Sequence, residues 1–136
     1  MPARRAEALV LDASAAVEAL LGSATGVAVR HRIRATQLHA PAHLDAEVLS
    51  ALGRLCRAGD LEAATVTTAL TDLAAAPIAR HPLPALLNAA WQIRDQLRLV
   101  DALYAVLSEQ LGARLLTTDA RLARGLEFAE LVTPDS

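Results

Sequence analysis

The sequence predicts an α/β fold: a three-layer α/β/α sandwich with a central, mostly parallel sheet of four to five strands. Three observations carry this. Ala8-Leu9-Val10-Leu11 is an apolar run without alternation, as in a strand buried on both faces of a parallel sheet. It stops at Asp12, and the helix-like run 15–21 follows almost at once, which is how a βα unit opens. Arg114-Leu115-Leu116-Thr117-Thr118-Asp119 repeats the pattern late in the chain, with helix-like segments between the two. A chain of 136 residues fits one domain, 1–136, with a sizeable core; the polar arm 1–7 is expected to be loose.

Strand one is read at 8–12 and helix one at 14–21, with Ser14 the candidate N-cap. Gly22-Ser23 breaks that helix. Residues 24–35 set Val27, Val29 and Ile33 among Arg30, Arg32 and Arg34, which fits a helix with a basic face; the alternation also allows a strand. Residues 37–40 fit a short strand ending at Pro41. Leu44, Val48, Leu52 and Leu55 recur at helical spacing over 44–56. Gly59 reads as a left-handed C′ residue and Asp60 as the N-cap of a helix over 61–76, stopped by Pro77. Residues 78–82 fit a short strand, and 84–97 a helix with Leu86, Leu87, Ala90 and Ile93 inside. The next helix, 101–111, carries Leu103, Val106, Leu107 and Leu111 as its stripe and closes at Gly112. A strand over 113–117, a short helix over 120–124 and a strand near 129–132 complete the chain.

Hydrophobic residues make up 54% and aromatic ones 2%, so Leu, Ala and Val build the core. Trp91, the sole tryptophan, is expected in the core or in an interface, and Cys56 as a small buried apolar residue. The net charge of −2 gives no bulk attraction to nucleic acid. All 13 basic residues are arginine, whose planar fork suits phosphate. One cysteine excludes an internal disulfide and a cysteine zinc site, and fits a reducing compartment. No long apolar run follows Met1-Pro2-Ala3-Arg4-Arg5, so no signal peptide or membrane span is expected and a cytoplasmic setting is.

Four acids stand at telling positions. Asp12 and Asp119 each end an apolar strand, so they share one edge of a parallel sheet. Asp101 opens the helix that leads into the second of those strands, and Glu47 lies one position off the apolar stripe of 44–56. Singly, each fits a cap, a turn or a solvated helix position. Jointly, two strand-end acids repel unless one is protonated or a cation lies between them. With oxygen ligands only, magnesium or manganese is the economical choice.

These pieces resemble the PIN domain and, within it, the toxin ribonucleases of VapBC toxin–antitoxin modules. The matching stretches are Leu9-Val10-Leu11-Asp12-Ala13-Ser14, then Pro41 with Glu47-Val48-Leu49-Ser50-Ala51-Leu52, then Val100-Asp101-Ala102-Leu103-Tyr104, and Leu115-Leu116-Thr117-Thr118-Asp119. They occur in the family's order over about 8–132. The resemblance implies that Asp12, Glu47, Asp101 and Asp119 form a site for Mg2+ or Mn2+, lined by Ser14 and Thr118. Arg98 matches the family's common arginine before the third acid, while Val100 stands where an aromatic is frequent.

The implied activity is metal-assisted hydrolysis of RNA phosphodiesters, with the ion activating a water. Arg30, Arg32, Arg34, Arg121 and Arg124 are the candidates for gripping the RNA backbone. The implied partners are RNA, a VapB-like antitoxin seated on apolar helix surface at 15–21 and 44–56, and a second copy in a homodimer. His43 shares a helical face with Glu47, and Tyr104, one turn beyond Asp101, fits either the cleft or the core. A haloacid-dehalogenase phosphatase needs an acid where Ser14 stands, and a phospho-receiver needs a lysine, which this chain lacks. The remaining rivals are a PIN-like interaction module without activity and a PIN nuclease of RNA processing that is not a toxin.

Overall fold

A computed structural model of the chain describes residues 5–136; residues 1–4 of the arm expected over 1–7 lie outside them. Five strands form one sheet in the order β3-β2-β1-β4-β5. They are β1 Ala8–Leu11, β2 Gln37–Pro41, β3 Ile78–His81, β4 Arg114–Thr117 and β5 Ala129–Leu131. Every pairing is parallel, so all five carboxyl ends lie along one edge. The two apolar runs are central neighbours: Leu9, Val10, Leu115 and Leu116 have no exposed surface. Burying each such leucine stabilises the fold by roughly 1.5–3 kcal/mol.

The helices are α1 Ala13–Leu21, α2 Ala24–Ile33, α3 Leu44–Arg57, α4 Ala63–Ala75, α5 Leu87–Gln92, α6 Leu99–Leu111 and α7 Ala120–Arg124. On one face α6 crosses β1, β2 and β4, with α5 packed against it. On the other, Leu11, Leu38 and Ile78 share a groove with Ala16 and Ala19 of α1 and Leu73 of α4. The α/β/α sandwich is as expected, and the ambiguous stretch 24–35 is helical, with Ser23 capping it through Gly26 N–H. The α1–α2 crossing is tight: a Cβ on Gly26 would lie 1.8 Å from the Glu18 carbonyl oxygen.

Several expectations need correction. Asp12, not Ser14, caps α1, because its extended backbone lets the carboxylate accept from Ala15 N–H at 2.9 Å. Asp60 caps nothing: Gly59 does adopt a left-handed φ of +83°, but the chain turns further and α4 starts only at Ala63. The helix expected over 84–97 is a 3-10 turn, Pro84–Leu86, followed by the short α5. Residues 93–98 then turn, since α5 packs on α6 and the chain must reverse between them. Helix α6 starts two residues early, placing Asp101 in its first turn. Its buried surface includes Ala102, Tyr104, Ala105 and Ser108 while Leu111 is exposed, because both the sheet and α5 cover it. Trp91 is 54% exposed and so lies outside the core. Cys56 is only partly buried. Among the described residues no helix is long and apolar enough to cross a membrane.

Candidate active site

Sheet register brings the key groups side by side. Leu11 pairs with Leu116, and Asp12 N–H donates to the Leu116 carbonyl at 3.1 Å, so Asp12 stands next to Thr117. A cleft of about 280 Å³ opens there. Asp12, Glu47, Asp101 and Asp119 all border it, together with Ser14 and Thr118. Three helices and the loops after β1 and β4, far apart in sequence, thus deliver the six residues to one cleft.

Asp12 is the buried member, with 5% of its surface exposed. Ser14 Oγ donates to its Oδ1 at 2.7 Å, and Thr117 Oγ1 donates to its Oδ2. With both hydroxyl protons aimed at the carboxylate, the 3.2 Å contact between the two hydroxyl oxygens has no proton left to share. The hydroxyls also accept, Ser14 Oγ from Thr118 N–H and Thr117 Oγ1 from Asp119 N–H, each at 3.0 Å. This lattice fixes Asp12 and ties it to the strand end that carries Asp119. Burial pushes the Asp12 carboxyl up to about 6, and the charge of Asp101 adds to the rise against the pull of its hydrogen bonds. No arginine or histidine among the described residues forms an ion pair with it.

Glu47 is held by two groups. Tyr104 O–H, buried in α6, donates to its Oε1 at 2.7 Å, and His43 Nε2 lies 3.3 Å away, one turn back on α3. His43 Nε2 also lies 3.2 Å from the Val100 carbonyl. Both neighbours are acceptors, which puts the imidazole proton on Nε2; Nδ1 is buried without a partner. Burial and the Glu47 bond push the Tyr104 phenol upward, so it remains a donor. Asp101 Oδ2 lies 3.3 Å from Arg98 Nε. Asp119 caps α7, its Oδ1 accepting from Arg121 and Leu122 N–H at 2.9 and 3.3 Å.

The donor set suits a hard divalent cation. Every ligand-capable side chain is a carboxylate or hydroxyl, and a buried carboxylate that faces another carboxylate needs positive charge. Among the described residues no three acids or histidines converge tightly on one point. The cleft instead has room for an ion that keeps waters between itself and some carboxylates, as Mg2+ does.

Three groups around the acids were not singled out in the sequence: Glu18 of α1, which also borders the cleft, Thr117 and Arg54. Thr117, fully buried, donates to Asp12, while Thr118, expected to line the site, does line the cleft. The place of Thr117 follows from the register of the sheet, Leu11 opposite Leu116, which the sequence alone does not mark. Arg54 of α3 borders the cleft too. Conversely, Arg32 is committed elsewhere: it forks onto Glu7 at 2.8 and 2.9 Å and pairs with Glu130 at 2.6 Å. Arg30 donates to the Ala19 carbonyl at 2.7 Å. Of the five arginines expected to grip RNA, Arg121 lines a groove beside Asp101.

Comparison with known proteins agrees with this architecture. The PIN domain family model matches residues 9–125. Ribonuclease VapC3 of Mycobacterium tuberculosis is 52% identical over 132 residues, covering 96% of each chain. Ribonuclease VapC12 of the same organism is 40% identical over 119 residues, covering 85% of this chain and 90% of that protein. Among solved structures, PAE2754 from Pyrobaculum aerophilum superposes with a TM-score of 0.66 at 27% identity, over 91% of this chain and 82% of that one. M. tuberculosis VapC20, a sarcin–ricin-loop-cleaving toxin, shares the fold with a TM-score of 0.67 at 16% identity, over 92% and 99%. With its strand-end acids on a five-stranded parallel sheet and relatives matched nearly end to end, the chain belongs to the PIN domain family, among the VapC ribonucleases.

Proposed function

We propose that the chain, one domain over 1–136, is a metal-dependent endoribonuclease that hydrolyses RNA phosphodiester bonds as the toxin of a type II toxin–antitoxin pair. The observation that carries this is Asp12: a buried carboxylate without a cationic partner, opening on a cleft that Glu47, Asp101 and Asp119 also border. Asp12, Asp101 and Asp119 would hold Mg2+ or Mn2+, and Glu47 would be a further ligand or would orient the attacking water. When bound, the ion supplies an activated water and neutralises charge on the scissile phosphate.

The chain's own groups do the rest. Ser14 and Thr117 donate to both Asp12 oxygens and so favour its charged form against burial, and the Thr118 amide keeps Ser14 in place. Tyr104 and His43 aim Glu47. Arg98 and Arg54 on the rim offset the repulsion between the acids and an incoming phosphate.

The reading includes a VapB-like antitoxin. Its support is Ala16, Ala19 and Leu20 of the expected seat, which line a largely apolar groove of about 450 Å³ with α2 and α4; no residue of 44–56 lines that groove, which lies away from the acids. A homodimer belongs to the same proposal, supported by exposed Leu49 and Leu87. A cytoplasmic setting fits the single free thiol. The test is incubation of the purified protein with total RNA and Mg2+, Mn2+ or chelator, followed by mapping of the cut ends. Discrete cuts that need a divalent ion are expected. Intact RNA with both metals would favour the inactive interaction module.

A further inference from the structure

The acidic cleft does not end at Arg98 and Asp101. Both residues also line a second groove, of about 450 Å³, that runs along the turn between α5 and α6. Arg94, Arg98 and Arg121 bring three guanidinium groups to it, against the single acid Asp95 besides Asp101. Arg98 and Arg121 are about two-thirds exposed, and each also lies near an acid of the cleft, Arg98 Nε 3.3 Å from Asp101 and Arg121 Nη2 3.9 Å from Asp119. Beside Arg94, and not itself a lining residue, stands Trp91, with 54% of its surface in water. Its ring is not idle: the Arg94 guanidinium carbon lies 4.7 Å from the ring centroid, and Arg94 Nη1 donates to the Trp91 carbonyl at 3.0 Å. The guanidinium that lines the groove is therefore pinned over the indole. Guanidinium forks along a groove with an exposed aromatic ring beside them are what a single strand with unstacked bases requires. A duplex keeps its bases stacked on one another and has no use for the indole.

We propose that Trp91, with Arg94 pinned against it, is a stacking platform for one base of single-stranded RNA flanking the scissile phosphate, the backbone running past Arg98 and Arg121 to the acids. The identity of the ligand as substrate rests on the nuclease reading. The competing use of this surface is contact with a second copy, for which Leu87, exposed one turn earlier on α5, would be the neighbour.

Because Trp91 is the sole tryptophan, its fluorescence reports the platform directly. Wild-type protein is mixed in a stopped-flow instrument with an oligouridylate of about ten nucleotides or with a matched RNA duplex. Saturable quenching by the single strand and not by the duplex is expected. In cleavage of a mapped RNA fragment, Trp91→Ala should raise KM about tenfold, equivalent to about 1.4 kcal/mol, with kcat little changed. Trp91→Phe should restore most of it. No quenching together with an unchanged KM in Trp91→Ala overturns the platform while leaving the nuclease reading intact. Strand-selective quenching by a protein that cuts no RNA keeps the platform and removes the nuclease. A Trp91→Ala protein that sediments as a smaller species, with KM not restored by Phe, makes the residue a subunit contact and overturns the proposal.

Discussion

Asp12 carries an electrostatic cost that the acidic cleft turns to use. Its folded pKa of about 6 lies above the ordinary 3.8, with burial the main cause. The neutral carboxyl's contribution to stability is therefore complete below pH 3.8 and is lost as pH rises through 6. Above that, the buried charge costs about 3 kcal/mol at most by the linkage relation. Asp12→Asn keeps an acceptor for Ala15 N–H and Ser14, so chelator-treated mutant should be more stable than wild type at pH 8 by about 1–3 kcal/mol. Denaturant titration should show the gap closing near pH 4 and narrowing at pH 8 when Mg2+ is added; equal stabilities at pH 8 would refute this account of the carboxylate. At the neighbouring hydroxyls the order of effects is the prediction. Thr117→Val leaves Asp12 Oδ2 without its donor, and should cut cleavage about 10–100-fold, as loss of a group orienting a metal ligand does. Thr118→Val should do far less, because that side chain orients nothing in the cleft. Rates under single-turnover conditions decide the order.

The elements show which parts of the architecture the sequence carried. Apolar runs without alternation gave β1 and β4 their place at the centre, and the helical spacing of Leu44, Val48, Leu52 and Leu55 gave α3, three of whose four stripe residues are fully buried. The stretch after Pro84 was less legible, because its apolar periodicity runs on through Ile93 and Leu97 although the chain has left the helix there. Local pattern cannot register that α5 must turn back onto α6. The tight α1–α2 crossing was equally silent, since a glycine in a helical pattern looks only like a weak position. Gly26→Ala tests it. On an open helix, alanine would gain about 1 kcal/mol of helix propensity. Here the Cβ collides with the Glu18 backbone, and a net loss of about 2–3 kcal/mol in urea unfolding is expected. A stabilised variant would mean that α2 shifts freely on α1.

At the scale of the whole molecule, the site is a property of sheet order. Asp12 and Asp119 were legible as partners because both end apolar runs in a parallel sheet; Glu47 and Asp101 were marked by their helix positions alone, and the family pattern joined them to the site. The basic surface was the least legible part, since one arginine reads like another. Arg32 fastens the segment before β1 to β5 through Glu7 and Glu130, while Arg98 and Arg121 face the groove. Arg32→Ala should lower stability by about 1 kcal/mol and leave KM for RNA unchanged. Arg98→Ala should raise KM several-fold and weaken its salt dependence. Titrations at two ionic strengths separate the two roles, and a larger KM effect from Arg32 would reverse the assignment.

That the cleft holding Asp12, Glu47, Asp101 and Asp119 cuts RNA with a divalent ion is decided by a single comparison. Wild type and Asp12→Asn, matched by circular dichroism, are assayed side by side on the same RNA with Mn2+ or Mg2+ and with chelator. The account predicts metal-dependent cleavage by wild type and a loss of at least about 100-fold in the variant, the range for removing a group from a metal-assisted site. Cleavage by folded Asp12→Asn at the wild-type rate would contradict it.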